Sequence, residues 1–259
     1  MVSEEIEYER NQKIACILDI GEMLLSNGAD VNRVEDTIRR LSDAFDFSDC
    51  QVHAINSSII VTMTSLDGTF LTQARRISHI DTDLNKVSEL NNLSRKICAG
   101  TPDMDMLLRE MERIRNTSVY SPFMLYLGYI ISAAFFTLFF GGSWVDMLYS
   151  VPIAVGIRFI KVRLNRFNEN KMVDNIILSA FLTLAALIGP KFIPSLNSDM
   201  VIIGDIMLLI PGLAFCNSIH DMVMGDTISG VLSLIEAMLR ALSIAIGYVA
   251  VWGLLGRLL

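Results

Sequence analysis

Residues 204–240, GDIMLLIPGLAFCNSIHDMVMGDTISGVLSLIEAMLR, limit what this chain can fold into more than any other stretch. The run is as apolar as a membrane-crossing helix, yet it carries Asp205, Asn217, His220, Asp221, Asp226, Glu236 and Arg240. An ionisable side chain at membrane depth costs roughly 2.5–3.5 kcal/mol on insertion scales, so such residues mark a cavity or an ion path. Pro211-Gly212 falls in the middle of IMLLIPGLAFC. Proline removes a backbone donor and its ring clashes with the preceding turn, so the helix is expected to kink or break there. A broken helix beside paired charges near mid-membrane is the pattern expected of a secondary transporter's binding site.

Charge divides the chain in two. Residues 1–119 carry 13 Lys/Arg against 20 Asp/Glu, whereas residues 120–259 carry 8 of each within long apolar runs. Hydrophobic residues make up 52% of the 259, and the mean hydropathy of +0.47 is high for a soluble chain. The expected fold class is an α+β soluble domain over residues 1–117, followed over 118–259 by an all-α polytopic membrane domain of five transmembrane helices in a lipid bilayer. The acidic front half argues against a nucleic-acid partner. The N-terminus MVSEEIEYER is acidic and lacks an apolar core, so no secretory signal is expected and the first domain is expected in the cytoplasm. Cys16, Cys50, Cys98 and Cys216 are scattered, with no C-x-x-C and no metal-like spacing. They read as reduced thiols packed like small hydrophobes, and neither a metal nor a cofactor is expected.

In the front half, residues 11–27 have helical spacing and end on Asn27-Gly28; Asp30 then caps a second helix with Val31, Val34, Ile38, Leu41 and Phe45 on one stripe. Strands follow at 50–56, 57–65 and 69–77, with Asp67-Gly68 as a hairpin signal. Helices over 83–100 and from Pro102-Asp103 to about Arg115 complete the order ααβββαα, which implies an antiparallel sheet. His53 and His79 are the candidates for chemistry, with Asp81, Asp83, Ser57 or Ser58 as conceivable partners. No G-x-S-x-G, H-E-x-x-H or phosphate loop accompanies them, so both histidines read as structural or solvated and no catalytic residue is assigned. Arg75-Arg76 read as a solvated strand end.

Hydropathy divides the rest into five expected spans, 122–140, 145–164, 173–192, 200–220 and 227–255, each near the ~20 residues that cross a bilayer. Arg109, Arg113 and Arg115 precede the first span, and Arg158, Lys161, Arg163, Arg166 and Lys171 surround the loop after the second; both groups belong in the cytoplasm. Asn217 and Asp221 are four apart and share a helix face, with His220 adjacent. Asp226, Ser229, Ser233, Glu236 and Arg240 follow at steps of 3, 4, 3 and 4, a continuous stripe on the last span. The blander reading places Asp221 and Asp226 at a membrane–water boundary and makes Glu236 and Arg240 a structural i,i+4 pair. On the functional reading, Arg240 suits a substrate carboxylate and the half-helix after Pro211-Gly212 offers a second anion site at its N-terminus. A desolvated Glu236 or Asp221 would exchange protons. Together these point to small carboxylate-bearing solutes and proton coupling.

The run IPGLAFCNSIHDMVMGDTISGVLSLIEA resembles the signature P-G-x-x-x-x-N-x-x-x-D-x-x-x-G-D-x-x-S-G of the threonine/serine exporter family. The matching positions are Pro211, Gly212, Asn217, Asp221, Gly225, Asp226, Ser229 and Gly230, with Glu236 following. GEMLLSNGADVNRVEDTIRR resembles the family's cytoplasmic domain around Gly21, Gly28, Ala29, Arg33, Val34 and Glu35. The resemblance covers nearly the whole chain. It implies a short form like the larger subunit of a split exporter, partnered by a small membrane subunit. Split pairs are associated with succinate, and the long form, with about double the spans, with threonine and serine. It also implies a soluble domain likened to hydrolases.

The expectation is therefore a subunit of a proton-coupled exporter of small carboxylates or amino acids in the bacterial cytoplasmic (inner) membrane. Its partner would be a small membrane subunit or further copies of itself. The competing expectations are a metabolite-sensing regulatory subunit and a membrane-anchored hydrolase working through His53 or His79.

Overall fold

The computed structural model describes residues 2–78, 80–100, 103–117, 120–165 and 170–255. His79 and Arg166, both singled out above, lie outside the described residues. The chain forms two compact units: Met1–Val119 with Asn217–Ser233 (unit 1), and Tyr120–Cys216 with Leu234–Leu259 (unit 2).

Unit 1 begins with α1 (Val2–Ser26) and α2 (Val31–Ala44), continues through β1 (Asp49–Ile55), β2 (Ser58–Thr64) and β3 (Phe70–Arg76), and returns to helix in α3 (Leu84–Ala99) and α4 (Met104–Asn116). The strands pair antiparallel in the order β1-β2-β3, with Val52 opposite Val61 and Val61 opposite Gln73. Side chains alternate across a strand, so β2 sends Ile59, Val61 and Met63 to one face, where all three are fully buried. They share a core with Ile14, Ile17 and Leu18 of α1 and Val34, Ile38 and Leu41 of α2. Burying each such side chain stabilises the fold by about 1.5–3 kcal/mol, and this, more than helix propensity, holds α1 and α2 on the sheet. Gly28 ends α1 at φ +90°, a left-handed conformation that glycine adopts without a Cβ penalty. Asp30 stands at the N-cap of α2, yet its side chain makes no cap hydrogen bond.

Unit 2 holds α5 (Pro122–Phe139), α6 (Trp144–Leu164), α7 (Lys171–Phe192) and α8 (Ser198–Ile206); α9 (Gly212–Val223) and α10 (Thr227–Leu255) run through both units. Its core gathers Ile153, Ile157, Leu178, Leu182, Val201, Ile202 and Ile244. The carboxylate of Asp146 accepts from the Ser143 amide at 2.7 Å and hydroxyl at 2.8 Å, and from the Asn197 amide at 2.7 Å. It thereby caps α6 and ties its start to the loop before α8. A Cβ at Gly204 would come within 2.7 Å of the Thr137 backbone, so α8 and α5 approach backbone to backbone. Beside it Asp205 is fully buried, and neither carboxylate oxygen has a hydrogen-bond partner among the described residues.

Two parts of the expected fold class are overturned. Of five expected transmembrane helices, three among the described residues are long and apolar enough to cross a membrane: α5, α7 and α10. The expected second span is α6, whose 21 residues include Asp146, Arg158, Lys161 and Arg163. The expected fourth is split between α8, of 9 residues, and α9, of 12, so neither nears the ~20 residues a span needs. Nor do residues 1–117 stand as a separate α+β soluble domain. Asn217–Ser233 belongs to the same compact unit, and the one three-stranded sheet is set among ten helices in the described residues.

Candidate functional site

The return from α9 to α10 builds the site. Gly225 turns the chain at φ +102°, and the Asp226 amide donates to the Asp221 carbonyl at 2.9 Å. Asp226 in turn accepts from the Gly230 amide through its own carbonyl at 2.9 Å, which starts α10. Gly230 lets the two helices close: a Cβ there would lie 2.5 Å from Met222 Cγ and 2.7 Å from the Ser218 carbonyl oxygen. This tight return sets Asp221 and Asp226 against the start of α2 and against β1, within unit 1.

Asp221 is 7% exposed. One donor atom each of Asp30, His220 and Asp221 lie within 4.8 Å of one another. The Asp221 carboxylate has no hydrogen bond to the described residues, and burial pushes its pKa up to about 6, helped by the negative charges of Asp30 and Asp226 and opposed by His220. Asp226 is also raised, by burial first and then by Glu35, with His53 and a hydrogen bond from Asn32 acting the other way. One of its carboxylate oxygens, Oδ2, is buried without a partner. Glu35 itself is engaged: Oε1 accepts from the Ala54 amide at 2.9 Å and Oε2 from Arg39 at 2.8 Å. Asn56, in the turn between β1 and β2, donates to the Ser233 hydroxyl.

The sequence-selected residues separate into two groups. Asn217, Asp221, Asp226, Ser229 and Ser233 fall in unit 1, with Ser229 buried and Asn217 half-buried. Pro211, Gly212, Glu236 and Arg240 fall in unit 2. There α8 ends at Ile206 and α9 begins at Gly212, leaving Pro211 in the break between them. Arg240 approaches Glu236 at 3.6 Å one turn along α10, with the glutamate the more exposed of the two. These are the one cation and the one carboxylate in the 29 residues of α10.

The structure adds residues the spacing arguments passed over. Asp30 reads in the sequence as an ordinary helix cap, and its missing cap bond is visible only in three dimensions. Asn32 and Asn56 carry no sequence signal of their own. His53, read as structural or solvated, is an exposed strand residue close to Asp226. Glu35 had one signal, its place in the N-terminal stretch GEMLLSNGADVNRVEDTIRR.

Residues 15–255 match the family model described as "Putative threonine/serine exporter". Among curated proteins, the "Probable threonine/serine exporter" of Mycobacterium tuberculosis is 22% identical over 88% of this chain and 43% of its own length. The "Probable succinate transporter subunit YjjP" of Klebsiella aerogenes is 26% identical over 90% of this chain and 91% of its own. The Escherichia coli protein of the same name is 24% identical over 97% of this chain and 99% of its own. The chain thus spans less than half of the mycobacterial exporter it matches and nearly all of the two transporter subunits. No solved structure matches it. With a family match over residues 15–255 and three helices apolar enough to cross a bilayer, the chain is a membrane protein belonging to the threonine/serine exporter family.

Proposed function

We propose that this chain is one subunit of an exporter of small carboxylate-bearing solutes, either threonine and serine or C4-dicarboxylates such as succinate. It sits in the bacterial cytoplasmic membrane with residues 1–117 on the cytoplasmic side. The observation that carries the reading is the Glu236–Arg240 pair, 3.6 Å apart on the otherwise uncharged α10. A charge pair so placed is expensive unless it is used. Arg240 receives the solute's carboxylate as a guanidinium does, by paired N–H donors. Proton coupling is part of the reading: protonating Glu236 frees Arg240 for the solute, and loss of the proton restores the pair and expels the solute. The break around Pro211-Gly212, and the polar residues Asn217, Asp221, Asp226, Ser229 and Ser233, belong to the solute's route in this reading.

The names of two relatives support a partner. The chain covers 91% and 99% of two proteins named as transporter subunits but 43% of one named as an exporter. A small membrane subunit of the same family therefore completes the path, or further copies of this chain do so. The test is efflux from cells preloaded with labelled succinate or threonine, with this chain alone and with the small membrane protein encoded beside it. Efflux in the pair supports the reading. Efflux from the chain alone assigns the path to a homo-oligomer, and none in either case removes the exporter role.

One observation favours a second reading, that unit 1 senses a metabolite. A cavity of about 370 Å³ between α2 and α3 is lined by Arg33, Arg40 and Arg95 with a single acidic residue, Asp36. Saturable binding of a dicarboxylate, lost in Arg33→Ala and Arg95→Ala while efflux persists, would favour regulation.

A further inference from the structure

We propose that Asp30, His220 and Asp221 form a binding site for a transition-metal dication of the Mn2+ or Zn2+ class in unit 1. Three independent observations meet there. The donor atoms of the three side chains already lie within 4.8 Å of one another. Ligands held at about 2.0–2.2 Å from one ion sit about 3–4 Å apart, so small side-chain rotations close the site.

The second observation is Asp30. An aspartate at a helix N-cap normally accepts from the amide two or three residues on. Here the Arg33 amide, three residues on, bonds the Asp30 carbonyl at 3.1 Å, and the side chain makes no cap bond. Its carboxylate faces Asp221 and His220. The third is Asp221, 7% exposed and without a hydrogen bond from any described residue to its carboxylate. A carboxylate so largely buried and without a protein donor is one that a cation would stabilise.

The surrounding charges agree. Asp226 brings a third carboxylate, with one oxygen buried and unpartnered, and Glu35 a fourth near it, against His220, His53 and the Arg39 that pairs with Glu35. An ion would remove this repulsion. One imidazole with two carboxylates is a mixed nitrogen and oxygen set, suited to Mn2+ or Zn2+ and not to Cu+, which prefers sulfur. Three protein ligands leave positions open for water or for a carboxylate brought from outside. The ion does not depend on export: it binds in detergent with no transport taking place, so its absence leaves the exporter reading intact.

The experiment uses the full chain, purified in detergent and stripped of metal. Mn2+ is titrated by electron paramagnetic resonance, and Zn2+ by calorimetry. One ion per chain is expected, with affinity falling at least about tenfold in Asp30→Asn, His220→Gln and Asp221→Asn. Asp67→Asn, in the exposed hairpin, leaves it unchanged. Pulsed resonance on Mn2+ bound to the unaltered chain shows coupling to imidazole nitrogen, a readout that does not depend on any variant folding. No saturable binding, bound Mn2+ without nitrogen coupling, or affinity unchanged in all three variants overturns the site.

Discussion

At the residue scale, the proposed chemistry turns on carboxylates held where water is scarce. Asp221 is the clearest: burial, Asp30 and Asp226 all work against its charge, and only His220 offsets them. A neutral isostere removes that penalty without changing shape. Asp221→Asn in metal-free protein at neutral pH is expected to unfold about 2–4 °C higher than the unaltered chain, if about 1 kcal/mol is relieved. A Tm that falls instead means the carboxylate is held by favourable contacts. Export should move the other way, with Asp221→Asn, Asp226→Asn and Glu236→Gln each abolishing efflux at normal abundance. Spacing carries the reading of these residues only part of the way. A step of four puts Asn217 and Asp221 on one helix face, and steps of three and four give the stripe to Arg240. Spacing does not show that Asp30, far earlier in the chain, faces Asp221. Nor does it show His53 beside Asp226, since β1 and the turn before α10 are brought together only by tertiary packing.

At the scale of elements, the α9–α10 return is the part whose geometry is least tolerant. Gly230 faces Met222 and the Ser218 carbonyl with no room for a Cβ. Gly230→Leu forces the helices apart and is expected to destabilise unit 1 by about 1–3 kcal/mol. Limited proteolysis checks it: cleavage should speed up in residues 217–233, and an unchanged digestion pattern would show that the return opens freely. Turns and caps were legible because their causes are local. Asp67-Gly68 gives the β2–β3 hairpin, with Gly68 at φ +84°, and Ser121 before Pro122 starts α5 by accepting from the Met124 amide at 3.3 Å. Membrane spans were less legible. Averaged hydropathy joins α8 to α9 across a break that proline makes, and it ranks α6 with the helices apolar enough to cross a membrane despite its four charges.

At the scale of the whole molecule, composition located the change from acidic to apolar at residues 117–120, but the compact units do not follow that cut. Asn217–Ser233 leaves the apolar half to complete unit 1, because its polar side chains find partners such as Asn56 and Asn32 there. Cys98 is exposed in unit 1, so in a chain keeping that cysteine alone, an impermeant maleimide should label inverted vesicles and leave intact cells unlabelled. Labelling of intact cells would place unit 1 outside.

The most direct measurement is efflux of labelled succinate and of labelled threonine from preloaded cells. They would express this chain with the proposed small membrane subunit, as the unaltered form and as Glu236→Gln at matched abundance. The expected result is release of one of the two solutes by the unaltered pair, driven by an imposed proton gradient and lost in Glu236→Gln. Release no faster than from cells lacking the pair, or equal release by Glu236→Gln, would contradict an exporter that works through the charge pair on α10.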